Sequence, residues 1–120
     1  MKTRKRTDMD ITKQDWKLFQ NKIASWQESY MARLEREYIE ILTGEGNPSE
    51  KFWSLEKRIN RDKRNRGVMM QMRKQSVAFD LAALINDGVI TFADIESFSE
   101  ELKEIVLFLC GNKNDMEIIK

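Results

Sequence analysis

One apolar stripe constrains this chain more than any other feature. Trp16, Phe19, Ile23, Trp26, Tyr30, Leu34, Tyr38 and Ile41 recur at spacings of three or four, the repeat of a single helix face. No Gly or Pro interrupts residues 12–42, so the spacing predicts one helix of about 30 residues, roughly 45 Å long. A compact globule of this size is only about 35 Å across. The helix is therefore expected to overshoot a spherical body or to pair along its length with later helices, giving an elongated molecule. Thr12 suits the N-cap, with Asp15 placed to complement the exposed amides. The run Thr43-Gly44-Glu45-Gly46-Asn47-Pro48 ends the helix, Gly terminating it and Pro preventing its resumption before a turn.

Later segments read as shorter helices. A second is expected to start at Asn47 or Ser49, with Pro48 tolerated in its first turn. Phe52, Leu55 and Ile59 form its expected inner face, and Trp53 sits one step round. Over residues 57–66 charge replaces the stripe, and Gly67 marks a stop or kink. A third helix is predicted over residues 68–86, with Met69, Met72, Ser76, Phe79 and Ala83 as its stripe, flanked by Val77, Leu81, Leu84 and Ile85. Asp87-Gly88 closes it. Val89 and Ile90 lead to Thr91, a cap with Asp94 at the box position of a short helix through Phe98. Ser97 or Ser99 caps a last helix over residues 100–110, turning Leu102, Ile105, Val106 and Leu109 inward.

The expected fold is all-α, with four to five helices: a long N-terminal helix packed on a helical hairpin and a short C-terminal helix pair. Residues 1–11 read as a flexible basic arm, 12–110 as a single helical domain and 111–120 as a frayed tail. Phe19, Ile23, Trp26, Phe52, Leu55, Ile59, Phe79, Leu84, Ile90, Ile105 and Leu109 are expected to share one core.

Composition then excludes whole classes of chemistry. The 120 residues are 34% charged, with one Pro, one Cys and no His, a balance that favours helices and leaves no internal disulfide. The longest uncharged run, residues 105–112, is far short of the ~18 or more needed to span a bilayer. Lys2, Arg4, Lys5 and Arg6 are followed by Asp8 and Asp10 instead of an apolar segment, so no secretory signal is expected and a cytoplasmic setting is the default. Without His, neither a Ser-His nor a Cys-His nucleophile pair is available. Cys110, at the end of an apolar run, reads as a small core residue. Glu35, Glu37 and Glu40, or Asp80 and Asp87, lack any recognisable catalytic spacing. The chain is expected to be no enzyme and to hold no cofactor or metal.

Two motif resemblances at one corner fail on chemistry. Residues 86–94 look like half of a calcium loop. With Gly88 at loop position six, however, Ala83 and Ile85 fall where oxygen ligands are needed. The same corner as a DNA-reading helix-turn-helix would present Asp94, Glu96, Glu100, Glu101 and Glu104 to phosphate. The expectation is a plain helical corner with Ile90 plugging the core.

Charge is divided unevenly. Residues 1–74 carry 18 Lys and Arg against 11 Asp and Glu, a net +7, and residues 75–120 carry 3 against 9, a net −6. The densest cationic segment is Lys57, Arg58, Arg61, Lys63, Arg64 and Arg66, continued by Arg73 and Lys74. On a helix, Lys57, Arg61 and Arg64 share a face with Arg58 beside them. Such a strip suits phosphate neutralisation, and it equally suits a solvated face paired with the acidic half. Trp16, Trp26, Tyr30, Tyr38, Phe52 and Trp53 read mostly as core, although Trp is also enriched at interfaces. Met69, Met70 and Met72 beside the strip would add an adaptable apolar surface.

The runs Asp15-Trp16, Trp26-Gln27-Glu28-Ser29-Tyr30, Lys51-Phe52-Trp53, Leu55-Glu56-Lys57-Arg58-Ile59 and Leu84-Ile85-Asn86-Asp87-Gly88-Val89-Ile90-Thr91 resemble a group of small bacterial proteins, often associated with mobile elements. Some of that group carry a transporter label, with which a chain lacking any spanning segment does not agree. The resemblance supplies no functional residues. It implies an accessory role. The expected function is a non-enzymatic interaction or regulatory module, with a protein as the first partner class. A nucleic-acid-binding accessory protein is the second expectation. A third is an inhibitor of a host nucleic-acid-handling complex, its acidic helices imitating phosphates. Trp53, Lys57, Arg58, Arg61, Lys63, Arg64, Arg66, Arg73 and Lys74 are the candidate contact residues, and self-association through the long helix is a further expectation.

Overall fold

A computed structural model describes residues 11–119, with side chains as far as Gly111. The N-terminal arm before Ile11, and the side chains of Met116, Ile118 and Ile119, lie outside the described residues. The chain is all-helical: α1 (Lys13–Thr43), α2 (Pro48–Asp62), α3 (Val77–Asn86) and α4 (Glu100–Ile119), with 3-10 turns at Lys74–Ser76 and Phe92–Ile95. Among the described residues no helix is long and apolar enough to cross a membrane.

The expected long helix is continuous. Its first turn closes as a cap should, with the Asp15 N–H donating to Thr12 Oγ1 at 3.0 Å. At its far end the Thr43 hydroxyl donates to the Ile39 carbonyl at 2.8 Å, the i−4 back-bond that Ser and Thr make inside helices. Gly46 then takes φ of 125°, a conformation that residues with a Cβ avoid. Asn47 caps α2 with Glu50 closing the box, and Pro48 stands in the first turn. Every member of the α1 stripe is turned away from solvent, with Phe19, Ile23 and Leu34 buried and the others half-buried.

The described residues form two compact units, one running up to Ile23 and resuming from Gln71, the other from Ala24 to Met70. The first holds most of the apolar core. Phe19, Val77, Leu81, Leu84, Ile95, Leu102, Val106 and Cys110 are its largest fully buried side chains. Its Thr91–Asp94 capping box forms as expected, and Ile90 is buried beyond Gly88, which has φ of 78°. Ser99 accepts the Leu102 N–H at 3.2 Å and so caps α4. That helix runs on through Ile119, past Cys110 where the sequence pattern ends it.

Two helices depart from expectation. The third begins only at Val77, after a turn at residues 65–69 and a 3-10 turn at Lys74–Ser76. The Asn65 carbonyl accepts from the Val68 and Met69 N–H groups, and its side chain accepts from Gly67 at 2.7 Å, an Asx closure that competes with helix. Met69 and Met72 are consequently exposed. In Val77-Ala78-Phe79-Asp80-Leu81-Ala82-Ala83-Leu84 nearly every position is apolar, so periodicity cannot choose a face. Val77, Ala78, Asp80, Leu81, Ala82 and Leu84 are all buried, and Phe79 is left 47% exposed.

The second departure is the roll of α2 about its axis. Phe52 and Ile59, expected inside, are 62% and 41% exposed. The inward positions are Leu55, Arg58 and Asp62, at i, i+3 and i+7. The reason lies on α1, whose facing residues Glu37 and Tyr38 bond to Arg58 and Asp62. This second unit is an antiparallel helix pair held largely by polar side chains, with Leu34 its one buried large aliphatic among the described residues. The single expected core is thus narrower than the apolar pattern suggests. Trp26, Leu55, Ile105 and Leu109 are only half-buried.

Candidate functional site

The candidate cations have different structural fates. Arg58 is consumed by the fold. Its guanidinium meets Glu37, lies 3.4 Å from Asp62 and stacks over the Tyr38 ring at 5.6 Å. The Glu37 hydrogen bond, outweighing burial, holds its pKa above the usual Arg value. Asp62 is buried and accepts from the Tyr38 hydroxyl at 2.7 Å and from Arg61 at 3.2 and 3.3 Å. Burial alone would raise its pKa. The Tyr38, Arg58 and Arg61 donors prevail and hold it below the usual carboxylate range. Burial and the bond to Asp62 push the Tyr38 phenol up to about 12.

Asp62 escaped the sequence reading because an Asp among cations resembles a solvated helix end. The available signal was its isolation: it is the one acid in residues 57–66. It also explains why Arg58 must be removed from the binding set. An arginine that orients a helix against its neighbour is not a free recognition group.

The remaining candidates of this unit lie outward. Trp53 is 62% exposed, and its ring meets the equally exposed Phe52 ring edge-on, with centroids 4.9 Å apart and planes at 81°. Trp53, Lys57 and Arg61 follow one another at four-residue steps and are all exposed, which places them along one ridge of α2. Arg61 touches Asp62 yet keeps 69% of its side chain accessible. Lys63 caps the helix C-terminus, where α2 ends. Arg64 and Arg66 follow in the turn closed by Asn65, and the Arg66 carbonyl accepts from Gln27 at 2.9 Å. Lys57, Lys63 and Arg64 have no ion-pair or ring partner among the described residues.

The strip is therefore not one helix face. Arg64 lies beyond the helix, and Arg73 and Lys74 belong to the other unit, where Arg73 donates to Gln71 at 2.9 Å. Phe52, which the sequence pattern assigns to the core, joins Trp53 as an exposed ring that sequence reasoning missed.

Two further chemistry-bearing residues have structural partners. Asp94 accepts from the Thr91 N–H and hydroxyl. The Cys110 thiol is buried near the Ala82 carbonyl, and burial raises its pKa. Among the described residues, no group of three Cys, Asp or Glu side chains is placed to hold a metal ion. An open groove of about 290 Å³ lined by Gln14, Lys17, Leu18, Asn21 and Ser97 assembles no pair of titrating groups. What the outer face of α2 supplies is recognition chemistry, two accessible rings beside cations. No protein-family profile matches the chain, and no curated protein or solved structure matches it either.

Proposed function

We propose that this chain is a non-enzymatic interaction module whose contact surface is the outer face of α2 together with the turn that follows it. The observation that carries the reading is the exposure of Phe52 and Trp53 beside Lys57 and Arg61 on a helix whose opposite face is already occupied. Large rings left in water cost solvation free energy, and Trp and Arg are the side chains that most often dominate recognition surfaces. The cationic surround calls for a partner with negative charge, either an acidic protein face or a nucleic acid. The resemblance to small mobile-element proteins supports an accessory role.

The test is a pull-down with the full chain as bait, with and without nuclease treatment, beside a Trp53→Ala/Lys57→Gln/Arg61→Gln variant. The reading expects partners of the wild-type chain that the variant loses. An identical set of partners for both baits would remove α2 from the contact surface.

A further inference from the structure

We infer that the ligand of the α2 face is a single-stranded nucleic acid, with bases stacked on the Phe52–Trp53 ring pair and phosphates on Lys57, Arg61, Lys63 and Arg64. This rests on the reading of that face as the contact surface and names its partner. Three observations lead to it. The rings are each 62% exposed and in mutual edge-on contact, so the pair is a supported aromatic platform. Four-residue steps put Lys57 and Arg61 at about 6 Å intervals from Trp53 along the helix, so ring and charge are read together by one ligand. And the one acid within residues 57–66, Asp62, is buried and bonded to Tyr38 and Arg61. It therefore offers no exposed carboxylate to oppose an anionic strand, and the exposed Glu56 carboxylate just before the segment is engaged by Asn60, which donates to it at 2.9 Å.

A ligand for this surface needs regular negative charge and flat apolar faces. An acidic peptide provides the charge but not the stacking faces. A duplex provides the charge and hides its base faces in its own stack. A single strand provides both, and sequence-tolerant binding by aromatic stacking plus cation contacts is the established physics of such ligands.

Fluorescence anisotropy of a labelled oligothymidylate, a mixed-sequence duplex of equal length and polyglutamate, titrated with the full chain between about 50 and 200 mM salt, tests this. The oligothymidylate should bind more tightly than the duplex. Trp53→Ala should weaken it roughly five- to hundredfold, with an unchanged salt slope, and Trp53→Phe should recover most of the loss. Lys57→Gln/Arg61→Gln should instead flatten the salt slope, by about 0.7 for each phosphate contact removed. Trp53 is exposed, and circular dichroism of Trp53→Ala verifies an intact fold. Equal affinity for strand and duplex, or oligothymidylate binding indifferent to Trp53→Ala, overturns the inference. Polyglutamate bound through Lys57 and Arg61 while oligothymidylate is not overturns the nucleic-acid partner and leaves the contact surface standing. Failure to bind any of the three polymers at low salt overturns the inference, and the contact surface itself then stands or falls with the pull-down.

Discussion

The Asp15 carboxylate accepts two hydrogen bonds from Ser99, one from its backbone N–H at 2.9 Å and one from its hydroxyl. It thereby joins the first turn of α1 to the N-cap of α4 within one unit. Asp15 is buried, and Ser99 in turn caps α4 by accepting from Leu102. Removing the carboxylate strips partners from a half-buried cap. Asp15→Ala should therefore cost about 1.5–3 kcal/mol, the range for hydrogen bonds to a charged group. Urea denaturation measures it. In a double-mutant cycle with Ser99→Ala the two losses should fall short of additive, and strict additivity would show the contact to be energetically idle.

Tyr38 and Asp62 impose a pH dependence at both ends of the scale. The folded Asp62 pKa is depressed, so its stabilisation is present above the unfolded value near 3.9 and is lost as pH falls through the folded value. The Tyr38 pKa is raised to about 12, so its contribution is full below about 10 and is lost as pH climbs toward the folded value. Thermal midpoints of Tyr38→Phe across pH 9–12 should lack the alkaline decline attributable to this residue. A decline as steep as that of the wild type assigns it to other groups.

Arg58 and Arg61 are adjacent in kind and opposite in role. Arg58→Gln should destabilise the fold by about 1–3 kcal/mol, because buried Asp62 and Glu37 lose a charged donor. Arg61→Gln should cost under about 1 kcal/mol, since Arg61 is largely in solvent. Chemical denaturation of the two single variants distinguishes them, and equal losses would place Arg58 back among the surface cations.

Phe19 and Phe52 separate the true core from the apolar pattern. Phe19→Ala removes a fully buried ring and should cost about 3–5 kcal/mol. Phe52→Ala should stay within about 0.5 kcal/mol, as for surface positions generally. A comparable loss at Phe52 would return it to the inner face of α2.

Gly88 adopts φ of 78° with no atom within 4 Å of where a Cβ would stand. The cost of Gly88→Ala is then conformational alone, about 1–2 kcal/mol, read from the shift of the thermal midpoint. No shift would mean that the turn relaxes to another conformation.

The elements that could be read from residue order alone are those whose causes are local. The α1 stripe has an unambiguous period and no breaker between Thr12 and Thr43, and its N-cap is a side-chain-to-backbone bond spanning three residues. The Asn47–Glu50 and Thr91–Asp94 boxes are legible for the same reason. The start of α3 was not, because the Asn65 turn that delays it competes with a helical methionine pattern of similar local strength.

What the sequence determined by itself is the all-helical class, the extent of α1 and the caps, since these follow from backbone hydrogen bonding over a turn or less. Only the tertiary structure decided which face of α2 looks outward, and with it the candidate surface. Phe52 and Ile59 outrank Arg58 and Asp62 on any scale of residue hydrophobicity. That ranking assumes a polar group enters the interior alone and loses its solvation. Here Arg58 meets Glu37 and Asp62, and Asp62 meets Tyr38, partners supplied by a helix more than 20 residues away in the chain. Once the Arg58 terminal nitrogen and the Asp62 carboxylate are paired, burying them ceases to be prohibitive, the helix rolls toward them, and the rings are left on the outside.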